Sequence, residues 1–197
     1  MTNDVRTDDR VAIAGLMTGW IHRDLGEWEQ LRQLFHPDGT VEITWFEGPA
    51  GDFVDASARM GASDLRSKHL IGGPSITFNG DRAVVETSAM ILAENVALDI
   101  GCTTHNRFLD RVEKRDGVWG IVRRVSSYDM SHFTFLGPVY DIDAQAVKRH
   151  PREYAALAYV LEKSGYPVGR VFATRNSRME ADVKADSVAW LNGTPGR

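Results

Sequence analysis

From Val11 onward, apolar residues recur at helical spacing, with Ile13, Leu16, Met17, Trp20 and Ile21 on one stripe. The spacing predicts a helix that runs to about Asp24, with Thr7 as N-cap, Asp8 and Asp9 in an acidic first turn, and Gly26 as the break. Trp28, Leu31 and Phe35 predict a second, shorter helix stopped by His36-Pro37. Val41, Ile43 and Trp45 then alternate with Thr40, Glu42 and Thr44, the period of a half-buried strand. Gly48-Pro49 and Gly51 read as a loop, and Asp52 as the cap of a third helix carrying Phe53, Ala56 and Met60.

After Ser63 the pattern becomes strand-like. Residues 68–78 form one strand candidate, interrupted by Gly72-Gly73-Pro74, and Asn79-Gly80 is a hairpin signal. Residues 82–92 return as a second strand. Residues 96–112 form a long third one, with Leu98, Ile100, Cys102, Thr104, Asn106 and Phe108 on one face, and Asp116-Gly117 turns it into 118–128. Helices first and hairpin-linked strands afterwards predict an α+β fold, an antiparallel sheet packed against segregated helices. Gly137-Pro138 marks a boundary between a domain over residues 1–137 and a C-terminal extension over 138–197. Ala155, Leu157, Ala158, Val160 and Leu161 predict a helix over 151–163, with Pro151 at its start and Gly165 past its end. It is expected to pack on the first domain or on a neighbouring subunit. The polar stretch from Arg175 is expected either to fray or to dock.

Composition narrows the class. Of 197 residues, 43% are hydrophobic and 25% charged, and the net charge of −4 supplies no basic field for nucleic acid. A single cysteine excludes an intrachain disulfide framework, and its place in an apolar alternating run reads as buried and inert. No apolar run approaches the length of a membrane span. The N-terminus MTNDVRTDDR is unlike a signal peptide, so a cytoplasmic setting is the expectation.

The candidate chemistry starts from Asp24. One turn past Trp20, the apolar stripe aims this carboxylate at the interior, where an unpartnered acid costs several kcal/mol (roughly). It either caps something structural or is paired for catalysis. His69, just after the third helix, is a candidate partner: a carboxylate orients an imidazole, fixes its tautomer and raises its basicity. A histidine at a strand start is also a common surface or edge residue. Arg124 alternates with Val122 and Ser126 and could hold a developing anion, although it adjoins Arg123 and alternation sends one of the two outward. The remaining histidines form no metal-binding spacing, so no metal is expected.

Asp24 at a helix end, Trp28, Leu34-Phe35-His36-Pro37-Asp38, Asn106-Arg107-Phe108-Leu109-Asp110, Arg115-Asp116-Gly117-Val118-Trp119, Arg123-Arg124-Val125 and Tyr128-Asp129, in that order, resemble the SnoaL-like branch of the NTF2-like superfamily. The resemblance spans roughly residues 8–135. It implies a cone of three N-terminal helices packed in a strongly curved mixed, mainly antiparallel sheet, with an apolar pocket at the wide end. Within that branch the chain is similar to the group of hexachlorocyclohexane dehydrochlorinase, scytalone dehydratase and bile-acid dehydratase, which use an Asp–His pair without metal or organic cofactor. The resemblance places Asp24 and His69 on that pair, Arg124 on an anion-stabilising arginine, and Trp20, Val41, Phe108 and Val122 around the substrate. Where the dehydrochlorinase has a polar or basic residue this chain has Gly19, and Val41 stands near the place of a tryptophan, so the chlorinated substrate is not expected here. The implied activity is a cofactor-free lyase, a dehydratase, acting on a small apolar alicyclic or polycyclic molecule. The alternatives are a cyclase or isomerase using the same proton transfer, or a non-catalytic ligand-binding or accessory subunit. A homo-oligomer is implied, a trimer rather than a dimer.

Overall fold

The apolar stripe of the N-terminal segment forms α1 (Thr7–Thr18), but that helix does not run on to Asp24. The structure, a computed structural model, describes residues 6–135 and 141–193. The chain turns at Gly19, whose missing Cβ would lie 2.6 Å from Leu34 Cδ2, and restarts as α2 (Ile21–Leu25). The turn re-aims the helix face: Ile21, expected on the stripe, is exposed, while Arg23 is buried. Gly26 closes α2 in the left-handed conformation (φ 72°) that glycine adopts without strain. Thr7 is the first helical residue and caps nothing; Asp9 instead accepts hydrogen bonds from Lys114 Nζ (2.9 Å) and Trp119 Nε1 (2.8 Å).

The second helix is shorter than its apolar spacing predicts. It is α3 (Trp28–Arg32), and Phe35-His36-Pro37 already belong to β1 (Phe35–Ile43). Pro37 is tolerated because β1 pairs regularly with its neighbour only at Phe35 and again from Thr40, and the register shifts between them. A short β2 (Phe46–Pro49) leads into α4 (Ala50–Gly61), where Pro49 rather than Asp52 holds the N-cap position.

β3 (Leu65–Asn79), β4 (Arg82–Asn95), β5 (Ile100–Arg115) and β6 (Val118–Phe135) follow as three hairpins. The sheet order is β2-β1-β6-β5-β4-β3, parallel only between β1 and β6. Asp116 and Gly117 both take positive φ (50° and 82°), as a two-residue hairpin turn of matching twist requires. Three one-residue register shifts bend the ladder: Gly72-Gly73 oppose Ser88, and β6 carries an extra residue at Val122 and another at Asp129. The sheet wraps a core of Ile13, Met17, Trp20, Phe53, Val54, Phe108 and Ile121.

A second core fills the other end. It is built from the inner sheet face (Ala93, Ile100, Cys102, Tyr128) and from the extension, which contains α5 (Ala144–Val147), α6 (Ala155–Lys163) and α7 (Arg178–Leu191). Every residue of α6 from Ala155 to Leu161 is buried, so this helix is enclosed on all sides rather than laid on a surface. The Gly137-Pro138 boundary lies outside the described residues. The polar stretch after Arg175 docks: Ser177 Oγ accepts the Glu180 N–H (3.1 Å), and Glu180 accepts from Asn176 N–H (2.6 Å), starting α7. The Ser177-x-x-Glu180 spacing is that of a helix-start cap. α7 lies against β4 and β5, where Arg111 donates to Ser187 Oγ and Arg82 to the Trp190 carbonyl.

Candidate active site

α2 and the start of β3 meet at the rim of the first core. Leu65, Ser67 and His69 point inward by strand alternation, while Arg66, Lys68 and Leu70 point out. Asp24 reaches across from α2 and is held at both oxygens. Oδ1 lies 2.6 Å from His69 Nδ1, and Oδ2 accepts the His69 backbone N–H at 2.6 Å. Both side chains are nearly sealed, 7% and 6% exposed. A carboxylate can only accept, so the proton sits on Nδ1 and Nε2 keeps its lone pair. Burial, the largest influence, pushes the imidazole below its usual value. The Asp24 hydrogen bond opposes this, and the positive charges of Arg23 and Arg124 add to it. A neutral, oriented imidazole at neutral pH is a competent general base.

His69 lines a cavity between the two cores. Trp20, Phe108, Ser126 and Tyr128 come from the cone, Trp45, Met60 and Arg23 from its helical side, and Leu157 and Leu161 from α6. The enclosed space is only about 40 Å³. A ligand of ring size therefore needs the lining, to which α6 contributes two leucines, to yield. Trp20 stacks on Phe53 (5.3 Å) and tilts against Phe108 (5.1 Å), giving the His69 side a rigid aromatic floor.

Arg124 is inward-facing, so the choice between the adjacent arginines is settled, but it does not line the cavity. It is wholly buried beneath Trp20 and Phe108, its guanidinium carbon 4.6 and 4.2 Å from their ring centres. Its Nε and Nη2 bind Asp110 side-on at 2.9 and 2.8 Å. Direct contact with a ligand anion, the place expected for it, is thus blocked by two rings, and its charge reaches His69 only through space. Val122 does not line the cavity either, because it is the extra residue of a bulge and drops out of the alternation that pointed it inward. Val41 is buried in the cone core, and Ile43, one pleat further along β1, reaches the cavity in its place. Trp20 and Phe108 are where they were expected.

Four polar groups at the site escaped the sequence reading. Asp110, the partner of Arg124, is pushed upward by burial and drawn back by that arginine. Ser126 and Tyr128 follow Arg124 at alternate positions, a parity visible in the sequence. Ser126 Oγ accepts from Asn106 Nδ2 (2.8 Å), and Tyr128 Oη accepts the Thr44 N–H (3.0 Å). Arg23 was hidden by its neighbour: on a long helix, adjacent residues diverge, so an inward Asp24 implied an outward Arg23. On the short, re-aimed α2, both are buried. Burial lowers Arg23 to about 10, with Asp24 opposing. Cys102 is buried, its thiol pushed up to about 12, and so it is unreactive. Among the described residues no group of three or more His, Cys, Asp or Glu side chains is placed to hold a metal ion, and no helix is long and apolar enough to cross a membrane.

The SnoaL-like domain family matches residues 5–125 of this chain. Pea pathogenicity protein 2 of Fusarium vanettenii is 30% identical over 159 residues, which are 77% of this chain and 68% of that protein. Among solved structures, a candidate scytalone dehydratase from Novosphingobium aromaticivorans superposes with a TM-score of 0.59 at 21% identity, over 72% of this chain and all (100%) of that one. A type 2 hexachlorocyclohexane dehydrochlorinase gives 0.57 at 19% identity, over 71% of this chain and 96% of that one. At such identities the two structures speak for the fold, the curved cone in which Asp24 meets His69. With the family match covering the helices and most of the sheet, they lead to one conclusion: this chain belongs to the SnoaL-like domain family and has the NTF2-like fold.

Proposed function

We propose that the protein is a cofactor-free lyase, a dehydratase acting on a small alicyclic or polycyclic molecule with a largely apolar body. The observation that carries this reading is the 2.6 Å contact of His69 Nδ1 with Asp24 in the wall of an apolar cavity. His69 Nε2 removes a proton from a substrate carbon. The C–H electron pair becomes the new double bond as the C–O bond on the adjacent carbon breaks. The imidazolium, steadied by the Asp24 carboxylate, returns that proton to the departing hydroxide, and water leaves. The aromatic floor of Trp20 and Phe108 orients the ring, and Arg124 serves as a positioning residue that holds those two rings from below. The structural neighbours named for dehydration and dehydrochlorination support the reading, since both names describe eliminations.

The test is a panel of cyclic β-hydroxy ketones, followed for loss of water by mass spectrometry. Wild type is expected to convert at least one class and His69→Gln none. Equal turnover by His69→Gln, or proton exchange at carbon in D₂O without any elimination, would remove the dehydratase reading; the second result would favour an isomerase.

A further inference from the structure

The two deeply buried arginines near this cavity are treated differently by the fold. Arg124 offers its Nε–Nη2 edge to Asp110 and is neutralised by it. Arg23, 9% exposed, offers the corresponding edge to no carboxylate among the described residues. Its Nη1 donates to Ser67 Oγ (2.7 Å), its Nη2 meets only the weak thioether acceptor of Met60 (3.2 Å), and its Nε is buried without a partner. The adjacent Asp24 offsets its charge through space, but its oxygens are turned to His69 and make no hydrogen bond to this edge. Burying guanidinium donors without full acceptors is unfavourable, and the planar edge left over is the one that grips a carboxylate with two parallel hydrogen bonds.

Two further features point to a ligand. Arg23 lines the inner cavity and also an outer recess of about 260 Å³, with Met60, Leu65 and Ser67 common to both walls. Trp20 Nε1, a second donor on the inner wall, is likewise buried without a partner, as is Ser57 Oγ in the outer recess. Two residues of the inner wall thus carry unused N–H donors, both sealed in the closed cavity and reached only when the lining yields.

We propose that Arg23, backed by Ser67, is an anion-binding subsite, and that the substrate of this cavity is a carboxylic acid whose carboxylate pairs with the Nε–Nη2 edge while its apolar ring lies against Trp20 and Phe108. The proposal rests on the reading of this cavity as the substrate site, and it narrows the substrate class from apolar rings to ring-bearing acids. Binding displaces the Met60 thioether from Nη2 and gives the Nε–Nη2 edge the strong acceptor it lacks.

Isothermal titration of the full chain with benzoate and cyclohexanecarboxylate, each against its neutral carboxamide, tests this directly. The acids are expected to bind on the order of ten- to a hundred-fold more tightly than the amides, the size of a lost charge-assisted pair. Arg23→Gln is expected to abolish that preference, and Arg23→Lys to keep only part of it, since a lysine cannot make the fork. Equal affinity of acid and amide in the wild type, no acid binding at millimolar concentration, or an acid preference that survives in Arg23→Gln would each overturn the proposal. The wild-type comparison stands even if a variant fails to fold. His69→Gln separates the two readings. It should retain the acid preference while lacking turnover. If it stays active and still prefers acid to amide, the His69-based lyase reading fails and the anion subsite stands; if it is inactive yet acid and amide bind alike, the reverse holds.

Discussion

At the scale of single residues, the pairing of Asp24 with His69 makes two measurable statements. Asp24→Asn keeps the shape but cannot stabilise an imidazolium, so turnover should fall by about 10²–10⁴-fold, the usual range for general acid–base catalysis. Near-normal turnover would make Asp24 a structural cap. The second statement concerns pH. His69 is held below its unfolded value of about 6.5. As pH falls through that value the unfolded chain takes up a proton that the folded chain refuses, so this group's contribution to stability is lost toward acid and is constant above. Urea titrations at a series of pH values should show a steeper acid loss in wild type than in His69→Gln; parallel curves would mean that the imidazole is not held neutral. Arg124 and Asp110 form a separate buried pair. Removing only the acid, as in Asp110→Leu, should cost about 3–5 kcal/mol, whereas Asp110→Leu with Arg124→Met should recover much of it. A single variant as stable as wild type would contradict the bidentate pair. Asp24 and His69 were legible chiefly through the family resemblance, since the helix breaks at Gly19 before the apolar stripe reaches Asp24 and His69 carries no periodic signal of its own. Asp110 and Arg23 were not, because one depends on which strand residue lies opposite and the other on a five-residue helix set at a new angle.

At the scale of elements, β6 shows what alternation can and cannot deliver. From Arg124 through Ser126 to Tyr128 the two-residue period holds and all three face inward. Upstream, the extra residue at Val122 breaks it, and no composition signal announces a bulge of this kind. The hairpins announced by Asn79-Gly80 and Asp116-Gly117 were legible, since each turn needs residues that tolerate positive φ. α7 was missed because its apolar stripe is weak and its attachment is polar: Glu180, Lys184 and Ser187 bind Arg107, Glu86 and Arg111. α6 is the element whose contacts matter most to the cavity. Leu161→Ala should cost about 2–5 kcal/mol and widen the space above His69. Thermal denaturation would measure the loss, and titration with ring acids of increasing size the gain in room. Unchanged size tolerance would show that Leu161 does not limit what the cavity accepts.

For the molecule as a whole, the cone is filled from its own C-terminal segment. The strands that enclose the first core also line the second, and α6 supplies more of what fills the latter than any other element. A chain ending at residue 137 would uncover Cys102, Ile100 and Tyr128 on the inner sheet face. It should melt lower, bind apolar dyes and lose its affinity for ring acids; an unchanged melting temperature would show the extension to be dispensable. Leu70, Leu92 and Met130, apolar yet exposed on β3, β4 and β6, motivate the expectation of self-association. Sedimentation is expected to give a trimer, and a stable monomer at micromolar concentration would refute it. The α+β class was readable from the order of helical and alternating segments, and the cone from the family resemblance. The filling of its wide end was not, since nothing in the period of α6 says which surface covers it.

That filling has a bearing on how relatives of this protein could diverge. Asp24 and His69, the proposed acid–base pair, lie within the segment matched by the family, and the two leucines of the cavity wall lie beyond it. Inheritance can therefore act on the two separately. Exchanging residues 141–193 between related chains should transfer the range of accepted molecules with the exchanged piece while the reaction stays with the recipient. A lineage could explore new chemical niches by drift in one helix, without risking the residues on which catalysis depends.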